Sequence, residues 1–132
     1  MRYAMDFGEY FLYDDLTRHL QGLAAAYPEL SSLESLGKSW QGRDVWAMTL
    51  TNSATGNHAS KPGFYIDAHI HAEEVATSHT AIYTIWYLLS NYGSDAQVTW
   101  LLDNLTFYIL PRINPDGAEI SPDILDGGVV VP

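Results

Sequence analysis

The chain has 132 residues, 47% hydrophobic and 13% aromatic, with nine Tyr and four Trp, a size and composition that support one folded domain over residues 1–132 and exclude disorder. Six Lys and Arg against sixteen Asp and Glu give a net charge of −10, which repels polyanions, so neither nucleic acid nor an anionic membrane is expected as a partner. The absence of cysteine excludes a disulfide framework and any thiolate metal site, so a metal would have to be held by His, Asp or Glu.

Met1 to Glu9 carries no apolar signal-like run, no stretch approaches the ~18 apolar residues of a membrane span, and the compartment is not readable from the sequence. Leu16, Leu20, Leu23, Ala24 and Tyr27 recur at helical spacing. They predict an amphipathic helix from Asp14 to Tyr27, capped by Asp14 and stopped by Pro28. Leu30 to Leu36 has modest strand character. From Asp44 to Thr51, Trp46, Met48 and Leu50 alternate with Val45, Ala47 and Thr49, so this strand is expected to be covered on both faces. Asn52 to Gly63 is polar and glycine-bearing, a surface loop in which His58 reads as a solvated bystander.

Phe64-Tyr65-Ile66-Asp67 is a short apolar run giving way to a long helical pattern, from about Glu73 to Tyr92, that is apolar nearly all round between Ala81 and Leu89 and ends at Gly93. A short helix is expected from Ser94 or Asp95, with Val98, Leu101 and Leu102 on one side, then a strand from Leu105 to Pro111. Asn114-Pro115-Asp116-Gly117 supplies what a tight turn asks for. Strands alternating with helices predict an α/β fold in which the Phe64 and Leu105 strands run parallel through a crossover helix pair.

His71 and Glu74 stand at the junction of strand and helix. Three residues apart on a first helical turn, an imidazole nitrogen and a carboxylate oxygen converge on one borderline-soft divalent cation, most simply zinc. Spacing alone is weak evidence, because a buried histidine and a carboxylate facing the helix macrodipole would give the same pattern. Asp67 reads equally well as a buried carboxylate satisfied by backbone N–H groups or as a support of the site. His69-x-His71 is itself a metal-binding spacing, since residues i and i+2 of a strand face the same way. His79, two turns along the helix, is expected to pack or cap a neighbour, His19 lies on the polar side of the first helix, and Arg112 suits a structural ion pair or bonds to loop carbonyls.

The order strand, His71-Ala72-Glu73-Glu74, long helix, short helix, strand, Asn114-Pro115-Asp116-Gly117 resembles the N-terminal part of the catalytic domain of the carboxypeptidase A family of zinc metallocarboxypeptidases. Gly37-Lys38-Ser39-Trp40-Gln41-Gly42-Arg43-Asp44-Val45-Trp46 is similar to the hairpin that enters that family's second strand. The resemblance runs from about Tyr13 to Gly117. It implies a mixed, partly parallel central sheet with flanking helices, Zn2+ held by His71 and Glu74, and hydrolysis of peptide bonds at the C-termini of peptides or proteins. It also implies that a third zinc ligand, a carboxylate-binding Asn-Arg pair, an oxyanion arginine, a tyrosine and a general-base glutamate follow Pro132, so no catalytic residue is assigned within the chain. The chain is therefore expected to be an N-terminal segment, inactive alone. Such a segment leaves the Phe64–Asp67 strand as an unpaired sheet edge, a template for self-association. Glu73 departs from the family, which often has Arg between the ligands, and residues 120–132 match nothing in it.

Pro62 to His71 also resembles the Gly-Phe-Ile-Asp-x-His-x-His strand of the amidohydrolase superfamily, in which both His69 and His71 would coordinate. That reading has one residue too many before Asp67 and leaves Glu74 and Asn114–Gly117 unexplained. A third alternative is a non-enzymatic peptide- or metal-binding remnant.

Overall fold

The computed structural model describes residues 3–125; residues 120–125 fall within its last helix and residues 126–132 lie outside the described part. Four helices, α1 (Tyr13–Ala26), α2 (Val75–Asn91), α3 (Ala96–Asn104) and α4 (Pro115–Leu125), accompany four strands, β1 (Ser31–Lys38), β2 (Asp44–Leu50), β3 (Gly63–Asp67) and β4 (Thr106–Leu110). The sheet order is β1-β2-β4-β3. Strand β2 is antiparallel to β1 and to β4, whereas β3 and β4 are parallel and are joined by the α2–α3 crossover, so the expected mixed sheet is present.

Period-two alternation explains where the core sits. Leu33 pairs with Met48, Met48 with Ile109, and Ile109 with Ile66, so one apolar row crosses all four strands on one face. Leu16, Leu20 and Leu23 of α1, Ile82, Ile85 and Leu89 of α2, and Leu102 of α3 close over it, each no more than 1% exposed. At roughly 1.5–3 kcal/mol per fully buried side chain, this row and its cover dominate the stability of the domain. Strand β2 is covered on both faces from Ala47 to Leu50, as its sequence predicts.

Three boundaries differ from the sequence reading. Asp14 does not cap α1. Leu12 occupies the cap position without a side-chain bond, and the Tyr13 N–H is satisfied by Glu119 Oε1 at 2.9 Å, an acceptor from α4; Asp14 and Asp15 lie inside the first turn, where carboxylates favour the macrodipole. Helix α2 begins at Val75, because the backbone of Glu74 (φ −85°, ψ 50°) is not helical. Asn114 to Gly117 is not a free turn but the start of α4. The Asn114 side chain accepts the Gly117 N–H at 3.0 Å and its carbonyl accepts the Ala118 N–H at 3.1 Å, with Pro115 at the first helical position, where its missing N–H costs nothing.

The other boundaries agree with expectation. Asp95 caps α3, accepting from the N–H groups of Gln97 and Val98 at 2.8 and 3.0 Å. Gly93 ends α2 with φ 81°, a left-handed conformation that glycine adopts without steric cost. Strand β3 is a sheet edge, with Phe64 54% and Tyr65 61% exposed.

Candidate metal centre

Parallel pairing of β3 with β4 brings the C-terminal ends of both strands to one end of the sheet, where open α/β sheets place their ligands. Pairing continues past the strands. The Ala68 N–H donates to the Leu110 carbonyl at 3.0 Å, the Ile113 N–H to Ala68 at 3.0 Å, and the Asn114 N–H to His69 at 3.2 Å. Asn114 Nδ2 adds a bond to the Ile70 carbonyl at 3.0 Å. Residues 68–70 are thereby strapped to the segment that opens α4.

From this strap the chain enters the turn His71–Glu74. The Glu74 N–H donates to the His71 carbonyl at 3.2 Å, and the Glu74 carboxylate folds back, its Oε2 accepting the His71 N–H at 3.4 Å and its Oε1 lying 3.1 Å from His71 Nδ1. Both side chains are open to solvent, 66% and 40% exposed. The hydrogen bond to Glu74, with its charge, raises the pKa of His71, and the same bond lowers that of Glu74.

This donor pair fits zinc. Ions bound at ~2.0–2.1 Å from an imidazole nitrogen and ~2.0–2.2 Å from a carboxylate oxygen, at a tetrahedral angle, hold those atoms about 3.4 Å apart. The observed 3.1 Å is close to that separation. Imidazole and carboxylate are also the ligand types a cysteine-free chain can offer. Among the described residues, no group of three or more His, Asp or Glu converges on one point.

The remaining motif residues divide sharply. His69 is 1% exposed and its backbone is left-handed, φ 58°. Its Nε2 lies 3.1 Å from the Ala72 carbonyl, and its Nδ1 is buried without a partner. Burial lowers the pKa of His69, against the opposing effect of the Ala72 bond. The alternative in which His69 and His71 share a cation across a strand does not hold: β3 ends at Asp67, and the left-handed residue breaks the period-two geometry that would align them. Asp67 is exposed rather than buried and accepts the Tyr65 hydroxyl at 3.1 Å. Glu73 is exposed.

Arg112 is 6% exposed and donates to Glu119 Oε1 at 3.2 Å and to the Phe11 carbonyl at 2.7 Å, the structural role its sequence context suggests. His79 packs among Phe7, Tyr10 and Phe11 and lies 3.3 Å from the Phe7 carbonyl. His19 is half-buried rather than on an open polar face, against Tyr3 and Phe11. His58 is exposed but not solitary, its Nδ1 3.0 Å from the Tyr108 hydroxyl.

Sequence reasoning missed two residues that shape the turn. Asn114 was legible, because Asn followed by Pro is a helix-start signature as well as a turn signature. Thr77 was not. Its Oγ1 accepts the His69 N–H at 2.9 Å and donates to the Glu74 carbonyl at 2.7 Å, contacts no local pattern announces.

Comparison with known proteins bears on the site. The profile of the zinc carboxypeptidase family matches residues 16–124. Carboxypeptidase B of Astacus astacus is 40% identical over 113 residues, covering 86% of this chain and 35% of that protein. Carboxypeptidase A2 of Mus musculus is 36% identical over 116 residues, covering 88% of this chain and 27% of that protein. The crystal structure of carboxypeptidase A from Helicoverpa armigera superposes with a TM-score of 0.76 at 27% identity, over 89% of this chain and 28% of that one. The chain thus spans about a third or less of the length of these curated relatives.

Proposed function

Given that the chain belongs to the zinc carboxypeptidase family, we propose that His71 and Glu74 are protein ligands of a zinc ion and that the protein serves in hydrolysis of peptide bonds at the C-termini of peptides or proteins. The observation that supports this reading is the convergence of His71 Nδ1 and Glu74 Oε1 to 3.1 Å at the C-terminal end of the parallel strand pair. Zinc, when bound, polarises a carbonyl and lowers the pKa of a bound water to about 7.

The chain's own residues do three things. His71 offers a neutral imidazole and Glu74 an ionised carboxylate. The Asn114 amide holds Ile70 so that the turn presents both outward. Glu73, exposed beside them, puts a negative charge where a substrate carboxylate would approach, so that end of a substrate is expected to be held elsewhere. Neither the amidohydrolase alternative nor the non-enzymatic remnant has a comparable observation in its favour. The β3 edge adds a partner to the proposal, a second copy of this chain pairing edge to edge.

Zinc titration by calorimetry tests the ligand assignment. A four-ligand structural site contributes about 10–16 kcal/mol, so two protein ligands supply roughly 6 and a dissociation constant in the tens of micromolar. His71→Ala and Glu74→Gln are each expected to weaken binding at least about tenfold. Equal affinity in the parent and both variants would overturn the assignment.

A further inference from the structure

Among the described residues, His69 is the one non-glycine residue with a positive φ, 58°. That conformation is uncommon for any residue with a Cβ, though histidine adopts it more readily than most, and the surroundings hold it in place. Its N–H is taken by Thr77 Oγ1 at 2.9 Å, and its carbonyl by the Asn114 N–H at 3.2 Å. The side chain is 1% exposed, and its Nε2 lies 3.1 Å from the Ala72 carbonyl. A carbonyl only accepts, so Nε2 carries the proton, and the buried Nδ1 is the bare lone pair that lacks a partner.

Ala72 is the residue between His71 and Glu74. We propose that His69 is the positioning residue of this metal site: its left-handed backbone reverses the chain after β3, and its Nε2–H, bonded to Ala72, holds the turn so that His71 Nδ1 and Glu74 Oε1 converge before an ion arrives. The inference rests on the reading that His71 and Glu74 hold zinc. Thr77 closes the circuit, since the hydroxyl that accepts from the His69 N–H donates to the Glu74 carbonyl at 2.7 Å. The turn is fixed at its start, its middle and its end by two residues that are not ligands.

Glycine and glutamine at position 69 separate the contributions. His69→Gly tolerates the positive φ better than histidine but removes the donor to Ala72. His69→Gln restores an amide N–H near the place of Nε2. Zinc titration of the 132-residue chain is expected to show affinity reduced about 10- to 100-fold in His69→Gly and within about threefold of the parent in His69→Gln, with far-UV dichroism of the metal-free proteins unchanged. Should His69→Gly fail to fold, Thr77→Val serves in its place, and about a tenfold weakening is expected as its two bonds are lost. Unchanged affinity in the glycine or valine variant overturns the proposal. Equal loss in glycine and glutamine variants also overturns it, in favour of direct coordination through Nδ1. If His71→Ala leaves zinc binding intact, the ligand assignment fails, and the failure is read on that variant alone.

Discussion

Two side-chain pairs sit near the same end of the molecule, and they are built in opposite ways. Arg43 and Asp116 meet at 2.8 Å with side chains 27% and 17% exposed. Asp116 is saturated: it accepts from the Ser39 hydroxyl at 2.8 Å, from the Gln41 N–H at 2.9 Å and from Arg43 Nη1 at 2.8 Å. His71 and Glu74 are bonded mainly to each other and stand open to solvent. In the first pair, both Asp116 oxygens are engaged in joining the β1–β2 hairpin to α4. The second is held in place by its neighbours' backbone and keeps its donor atoms accessible. Engaged partners mark structure, whereas accessible donors on a strapped backbone are what the proposed zinc ligands require.

The sharpest way to break this contrast is to remove the saturated carboxylate. Asp116→Ala leaves three donors without their acceptor, and a loss of about 2–3 kcal/mol of unfolding free energy is expected by urea titration, since bonds to a charged group are worth roughly 1.5–3 kcal/mol. Zinc affinity should stay within about twofold, because the pair touches neither ligand. A variant that bound zinc poorly at full stability would erase the distinction.

Acid sharpens the same point. Desolvation pushes the pKa of Asp116 up, but the bonds from Gln41, Ser39 and Arg43 outweigh it and hold the carboxyl below its ordinary value. A carboxyl depressed in the folded state contributes stability above its unfolded pKa, about 4, and loses it as pH falls through the folded value. The urea midpoint of the parent should therefore drop more steeply below about pH 4 than that of Asp116→Asn. Parallel slopes would mean the carboxyl titrates normally.

A subtler variant acts on the strap. A Cβ at Gly117 would lie 2.5 Å from Asn114 Nδ2 and 2.9 Å from its Cγ, displacing the amide from the Ile70 carbonyl. Alanine is the better helix former by ~1 kcal/mol, so Gly117→Ala is expected to change stability little while weakening zinc about fivefold. Stability and affinity falling together would show the two regions to be one cooperative unit. The smallest effect concerns the β3 edge: the chain is expected to self-associate with rising concentration in sedimentation velocity, and Tyr65→Lys, a charge on the exposed edge, to shift it toward monomer.

The elements that sequence displayed well are those whose pattern is local. The stripe of Leu16, Leu20 and Leu23, the alternation in β2 and the Asp95 cap are visible because each is complete within a dozen residues. The misreadings have two sources, a distant partner and a local ambiguity. Asp14 reads as a cap until Glu119, 106 residues beyond Tyr13, supplies the acceptor. Asn114–Gly117 reads as a turn because Pro and Gly serve turns and helix starts alike. His71 and Glu74 were legible as a pair, but the groups proposed to make them converge are His69 and Thr77, whose short-range bonds follow no recognisable sequence pattern, and Asn114, whose partner Ile70 is 44 positions away.

The bond from Asn114 to Ile70 spans 44 positions. Closing a loop of that size has an entropic cost that local contacts cannot recover, and it is met only once the α2–α3 crossover has docked on the sheet. The turn that carries His71 and Glu74 is therefore expected to take its final shape late in folding, after the core has formed. On the proposed reading, zinc affinity accordingly becomes a reporter of the finished fold: a peptide spanning residues 64–80 contains His71 and Glu74, with His69 and Thr77 beside them, but lacks the bond from Asn114 to Ile70.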